Sequence, residues 1–262
     1  MSVNFAHMNL KSASRSIGRE IIRLETVDST NAELLRRASA GAPHGLALTA
    51  RTQTAGRGRL DRKWHSPPKS GLYFSILLRP PQHVQISLIP LAAGLAVARA
   101  VGKTAGVEAR IKWPNDVNVA GRKLAGILCE AAEGGQAMVV GIGVNVRKWK
   151  EPLPDDIAAR RPITLEEAAS RAFDAGALMD EILMEFDAAF SRLAAGKEAA
   201  LLDEVRAIHE PFGKAVSIKS GGRDTRGIAQ GIDDSGRFVI ELDDGTQTAL
   251  VAGDVEYVRQ IK

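Results

Sequence analysis

The sequence predicts an α+β protein, a central mixed or antiparallel sheet flanked by helices, with a small β-barrel at its C-terminal end. Three observations carry that expectation. Between residues 109 and 146, short apolar runs are split by paired turn residues, the pattern of antiparallel hairpins. Two helical patterns bracket those runs: Leu88 to Val101 is apolar almost throughout, and Leu178, Ile182, Phe186, Phe190 and Leu193 recur at the spacing of one buried face. After Pro211-Phe212-Gly213 the texture changes to alternating apolar and polar residues, enough for four or five short strands before Val258.

Taken in order, Ile21 to Leu24 reads as a strand, and Asp28 or Ser29 as the N-cap of a helix carrying Leu34, Leu35 and Ala38. Gly41-Ala42-Pro43 ends that helix. Leu46 to Ala50 is a short strand, and the Arg- and Gly-rich loop after it suits neither helix nor strand; its glycine and charge content suggest disorder over 53–65 without ligand, though the sequence does not fix how ordered it is. Leu72 to Leu78 is a strong strand closed by Pro80-Pro81. The runs 109–112, 117–119, 123–132 and 137–146 are the middle strands, with turns at Ala120-Gly121 and Gly134-Gly135. Gly196 separates the helix at 178–193 from another over 197–208. The division expected is a loosely ordered lead-in at 1–20, a main domain at 21–211 and a small barrel at 212–262.

The chain has 262 residues, 45% hydrophobic and 25% charged, with a net charge of +4, which excludes a disordered or fibrous chain. A single cysteine, Cys129, excludes an intramolecular disulfide and a cysteine-based zinc site; it reads as a small core residue and fits a reducing compartment. The most apolar stretch, Leu88 to Ala98, is broken by Pro90, and no leader pattern opens the chain, so a cytoplasmic protein without a membrane span is expected. Bases and acids interleave after residue 212, which argues against a nucleic-acid face there.

Four clusters can carry chemistry. In Gln53-Thr54-Ala55-Gly56-Arg57-Gly58-Arg59, continuing to Trp64, two glycines alternate with two arginines. That arrangement is either a clamp for an anion such as phosphate or a basic surface turn; it is not the P-loop spacing. Lys112-Trp113-Pro114-Asn115-Asp116 fixes a cation and a carboxylate on a loop stiffened by Pro114, which holds Trp113 extended; the alternative is a surface ion pair. In Arg122-Lys123-Leu124-Ala125-Gly126-Ile127-Leu128 a lysine enters an apolar strand, pointing into a cleft or out to solvent. Gly141-Ile142-Gly143-Val144-Asn145 is too rich in glycine for an ordinary core strand; it marks a bulge or a close approach by a ligand or another backbone.

Together, in this order and with these gaps, the clusters and Asp28-Ser29-Thr30-Asn31 closely resemble the biotin–protein ligase family, over nearly the whole chain from Ile21. The resemblance implies a ligase core like that of class II aminoacyl-tRNA synthetases and an SH3-like C-terminal barrel. It also implies the activity: biotin and Mg-ATP give biotinyl-5′-AMP, and the biotinyl group then passes to a lysine of a biotin carboxyl carrier protein. For biotin it implies Ser29, Thr30, Asn31, Gln53, Gly56, Arg57, Trp64, Lys123 and Gly126. For ATP and the adenylate it implies Arg57, Gly58, Arg59, Trp64, Lys112, Asn115, Lys123 and Asn145. Lys123, Arg57, Arg59, Lys112 and Asp116 are the expected catalytic set, with Asp116 orienting or deprotonating the carrier lysine. No protein metal site is expected, because Mg²⁺ rides on the nucleotide.

One departure stands in the loop, where the family pattern has a glycine and this chain has Asp61. Its side chain either pairs with a neighbouring arginine or faces solvent. Only about twenty residues precede the first strand, too few for a helix-turn-helix domain, so the monofunctional type is expected, as a monomer or weak homodimer. Two rival readings are a lipoate–protein ligase or acyltransferase of the same fold, and a basic nucleic-acid-binding module.

Overall fold

A computed structural model of the chain describes residues 15–132, 134–210, 212–220 and 222–257. Seven strands form the main sheet: β1 (Ile21–Val27), β2 (Ala47–Gln53), β3 (Gly71–Leu78), β4 (Arg110–Lys112), β5 (Asp116–Val119), β6 (Arg122–Ala131) and β7 (Met138–Asn145). Their spatial order is β1-β2-β3-β7-β6-β5-β4. Only β1 and β2 run parallel; every other neighbouring pair is antiparallel. The sheet is therefore mixed, and the helix α1 (Thr30–Ser39) makes the crossover that a parallel pair requires.

The two central strands, β3 and β7, are buried on both faces, which is why they read as continuous apolar runs. Alternation along β3 shares its side chains between two cores. Leu72, Phe74, Ile76 and Leu78 join the large cluster, while Leu77 turns to the smaller one under α1 with Leu34, Leu48 and Val139. The large cluster is built on α2 (Ile89–Ala105), which starts with Pro90 in its first turn and ends on Gly106 at φ +68°. With the 3₁₀ turn before it, the segment Ile86–Ala105 is long and apolar enough to cross a membrane by length and composition. Eleven of the residues in α2 are instead buried in this core, against the sheet and against α5 (Ala175–Ala194).

Short helices α3 (Asp155–Ala158) and α4 (Leu165–Ala169) follow β7, in a stretch to which the sequence reading assigned no element. Helix α6 (Glu198–Ala207) leads to the second sheet. That sheet has five antiparallel strands: β8 (Ala215–Ser220), β9 (Arg223–Ile232), β10 (Phe238–Glu241), β11 (Gln247–Leu250) and β12 (Asp254–Tyr257), in the order β11-β10-β9-β8-β12. Its buried face (Val216, Ile218, Ala229, Phe238, Ile240) is continuous with the large cluster of the first sheet. At the seam, Trp113 stacks on Phe238 at 5.3 Å between ring centres and donates from Nε1 to the Gly236 carbonyl at 3.0 Å. His209 stacks on Phe212 at 4.6 Å and accepts from the Trp113 amide through Nε2 at 3.2 Å.

One expectation needs correction. Of the lead-in expected at 1–20, residues 1–14 lie outside the described residues, but the following ones are docked rather than loose. Ile17 is fully buried, the Ser16 and Ile17 amides donate to the Asp187 carboxylate at 3.0 and 2.9 Å, and Arg15 reaches the Gly18 carbonyl. Trp113 is buried in the seam, and its peptide bond to Pro114 is cis.

Candidate active site

One cavity opens over the main sheet, between the N-terminus of α1, the 53–65 loop, strands β5–β7 and the segment after β7. Its inner end is polar and uncharged. Ser29 caps α1 and, with Thr30 and Asn31, is buried. Because β1 and β2 pair in parallel with Val27 opposite Gln53, the start of α1 sits beside the end of β2. Thr30 consequently donates from its amide and its hydroxyl to Gln53 Oε1, at 2.9 and 3.1 Å, and Gln53 Nε2 donates to Ser66 Oγ at 2.9 Å. Ser75, fully buried on β3, donates to Asn31 Oδ1 at 2.6 Å and lies 2.7 Å from Thr30 Oγ1. Behind the cap, Arg36 forks onto Asp28 at 2.9 Å through both nitrogens and holds its carboxyl down at about 2.

The opposite wall is cationic. Arg57, Arg59, Arg62, Lys63, Lys123 and Arg160 line the cavity against two carboxylates, Asp116 and Asp254. The Gly-Arg loop is not the disordered segment its composition suggested. Arg57 and Lys63 bridge as strand partners, Gly58 donates to the Arg62 carbonyl at 2.6 Å, and Leu60 and Asp61 turn the corner at φ +54° and +56°. Asp61 occupies a left-handed position that a glycine would adopt without strain. Its side chain is exposed, with no ion pair among the described residues, the solvent-facing alternative of the two expected.

The loop is fastened at three points. Arg57 pairs with Glu130 at 3.0 Å, Arg59 donates to Asn115 Oδ1 at 2.9 Å and to the Gly253 carbonyl at 3.3 Å, and Arg62 pairs with Asp254. The last two contacts bring the C-terminal sheet into the cavity wall.

Lys123 reaches the cavity because β6 carries a bulge. Val117 pairs with Ala125, but Asn118 pairs with Lys123, so Leu124 is an extra residue that turns into the core beside Ala125. Strict alternation would put residues 123 and 126 on opposite faces; with the bulge, a Cβ at Gly126 would lie 3.2 Å from Lys123 Cε. Lys123 Nζ is 2.6 Å from Asp116 Oδ1 and 5.5 Å from the centre of the Trp64 ring. Asn145 donates to the Lys123 carbonyl at 3.3 Å.

The glycines of β7 admit side chains of this same chain. A Cβ at Gly141 would meet Asn31 Oδ1 at 2.1 Å, and one at Gly143 would meet the Trp64 ring at 2.4 Å. Neither a bulge nor another backbone is involved at these two positions.

Of the residues expected from sequence, Ser29, Thr30, Asn31, Gln53, Arg57, Gly58, Arg59, Trp64, Asn115, Asp116, Lys123, Gly126 and Asn145 all line this one cavity. Gly56 lies behind it, its carbonyl accepting from the Trp64 amide at 2.9 Å. Lys112 lies outside the lining as well. It pairs with Asp116 in the ladder on the outermost strand, β4, and is not among the residues that line the cavity. Sequence reasoning missed Ser75 and Glu130, which bond to Asn31 from outside the lining, and, within the lining, Asp254 and the wall formed by Trp149, Leu153, Ile157 and Arg160. For that wall the one available signal was the Leu153/Ile157 pair at helical spacing within a polar stretch.

The comparisons with known proteins agree with this geometry. The profile of the Biotin/lipoate A/B protein ligase family matches residues 24–146, and that of the Biotin protein ligase C terminal domain matches residues 212–257. The biotin--[acetyl-CoA-carboxylase] ligase of Mycobacterium tuberculosis is 37% identical, over 92% of this chain and 90% of its own. The bifunctional ligase/repressor BirA of Escherichia coli is 32% identical, over 86% of this chain and 70% of its own. Among solved structures, the biotin protein ligase from Aquifex aeolicus in complex with biotin and ATP superposes with a TM-score of 0.81 at 29% identity, covering 92% of this chain and 99% of that one. With its fold and both segments matched in this way, the chain belongs to the biotin protein ligase family.

Proposed function

We propose that this chain is an ATP-dependent biotin–protein ligase that makes biotinyl-5′-AMP and transfers the biotinyl group to a lysine of a biotin carboxyl carrier protein. The observation that carries this reading is the cavity's polarity: an uncharged hydrogen-bonding pocket at one end and, at the other, six cations, four from the 53–65 loop, one from β6 and one from the segment after α3. Such a cavity suits a small bicyclic ligand whose carboxylate must meet a triphosphate.

In the first step a biotin carboxylate oxygen bonds to the α-phosphorus, and the bond to the bridging oxygen breaks, so pyrophosphate leaves. Two unit negative charges about 4 Å apart repel by roughly 4 kcal/mol at an effective dielectric near 20. Lys123, Arg57 and Arg59 offset that repulsion, and Lys123 spans the carboxyl oxygen and the α-phosphate as charge shifts between them. Ser29, Thr30 and Gln53 take the ureido head. The 53–65 loop and Trp64 keep water from the mixed anhydride. Mg²⁺ enters with the nucleotide as Mg-ATP, held by the phosphate oxygens.

In the second step the neutral carrier amine attacks the acyl carbon and AMP leaves. Asp116 already holds the Lys123 ammonium at 2.6 Å, which suits it to orienting the incoming amine. In this reading residues 21–211 form the catalytic domain and 212–262 the SH3-like domain. The chain works in the cytoplasm as a monomer or weak homodimer, and nucleic acid takes no part.

The test is attachment of labelled biotin to a purified carrier domain, with labelled lipoate in a parallel reaction. Biotin attachment that needs both ATP and Mg²⁺ is expected. Attachment of lipoate without biotin, or of neither, overturns the reading.

A further inference from the structure

Glu130, near the end of β6, belongs to none of the motifs above, yet its carboxylate joins the two halves of the cavity. Glu130 Oε2 accepts from Asn31 Nδ2 at 2.7 Å and from Arg57 Nη2 at 3.0 Å. The Asn31 side chain cannot turn elsewhere. Its second amide hydrogen goes to the Leu128 carbonyl at 3.1 Å, its Oδ1 accepts from Ser75, and it lies against Gly141, where there is no Cβ to displace it. Both donors of the amide are thus taken up inside the protein. Asn31, which lines the cavity, is thus also an anchor for the residues around it.

We infer that Glu130 is a positioning residue: held by the buried Asn31 amide, it fixes the Arg57 guanidinium over the pocket of Ser29, Thr30 and Gln53, and so governs the capture of biotin. This rests on the proposed function. A half-exposed ion pair contributes little stability by itself. An arginine on a loop gains more from being held in one place, because a cation already in position loses no freedom when the anion arrives. The competing role for Glu130 is to neutralise Arg57, and it has the opposite consequence, since removing the charge would then strengthen anion binding.

The experiment is a double-mutant cycle on the full chain, reading KM for biotin and for ATP separately in adenylate formation. Glu130→Gln keeps an acceptor for Asn31 and removes the ionic partner of Arg57. It is expected to raise KM for biotin about tenfold and to leave KM for ATP within about twofold, with the thermal midpoint unchanged. In an Arg57→Ala background the same substitution is expected to change KM for biotin by less than about twofold, because the residue it positions is gone. A lowered KM for biotin, or equal effects in both backgrounds, overturns the proposal. If the unmodified chain forms no biotinyl adenylate, the proposed function fails, and trypsin then decides the positioning role. Faster cleavage at Arg57, Arg59 and Arg62 in Glu130→Gln supports it, and unchanged cleavage overturns it.

Discussion

Lys123 shows what a motif reveals about one side chain and what it hides. The order of motifs named the lysine, but its direction depends on a single extra residue, Leu124, that breaks the alternation of β6. Lys112 had equal claim in the sequence as a cation beside a carboxylate, and its place on an edge strand takes it out of the cavity. Neither outcome is written in residue type; both follow from hydrogen-bond register. For Lys123 the consequence is measurable. Lys123→Ala removes the one ammonium poised between Asp116 and the Trp64 ring, and adenylate formation is expected to fall by about 10²–10³. Single-turnover kinetics with labelled ATP check this, and an unchanged rate removes Lys123 from the chemistry. Cys129 needed no structure to interpret: it packs against the core, and burial pushes its thiol up to about 12.

Among the elements, strands and long helices were legible because each carries a period, and α5 follows its apolar repeat over Ala175–Ala194. The hairpin turns at Ala120-Gly121 and Gly134-Gly135 stand where the sequence put them, all four residues with positive φ. Two elements were not legible. The 53–65 loop is held by long-range contacts to Glu130, Asn115 and residues 253–254, which its own composition cannot announce. The wall after β7 has a helix of only four residues, too short to show a period. Strand β7 carries the prediction at this scale. Gly141→Ala places a methyl 2.1 Å from Asn31 Oδ1, a side chain tied by three hydrogen bonds, so either the amide or the strand must shift. A loss of about 1–3 kcal/mol in urea unfolding is expected, together with weaker biotin binding by calorimetry.

For the whole molecule, the seam between the two sheets has its own pH response. Burial holds the His209 imidazole down at about 4, against a smaller opposing effect of its bond to the Glu210 carbonyl, so the folded chain keeps it neutral. The unfolded chain takes up that proton near 6.5. The seam's contribution is therefore full above about pH 6.5 and is lost as pH falls toward 4, on the order of 3 kcal/mol in all. Urea unfolding at pH 7 and pH 4.5 tests this: His209→Gln is expected to be less stable at pH 7 but to lose about 2 kcal/mol less than the natural chain between the two. An equal loss in both proteins refutes it. The sequence marked a change of texture at Pro211, yet it could not show one core running through both sheets, because that depends on Trp113 and Phe238 meeting across more than a hundred residues.

The attachment of Arg59 and Arg62 to residues 253 and 254 also bears on how the enzyme comes into being. Every motif that names the chemistry has been translated by residue 146, more than a hundred residues before the strand whose first residue, Asp254, closes the cavity wall. A nascent chain would thus possess all its reactive groups while its vessel still lacked a side, and the labile intermediate becomes safe to make only once synthesis has passed β12.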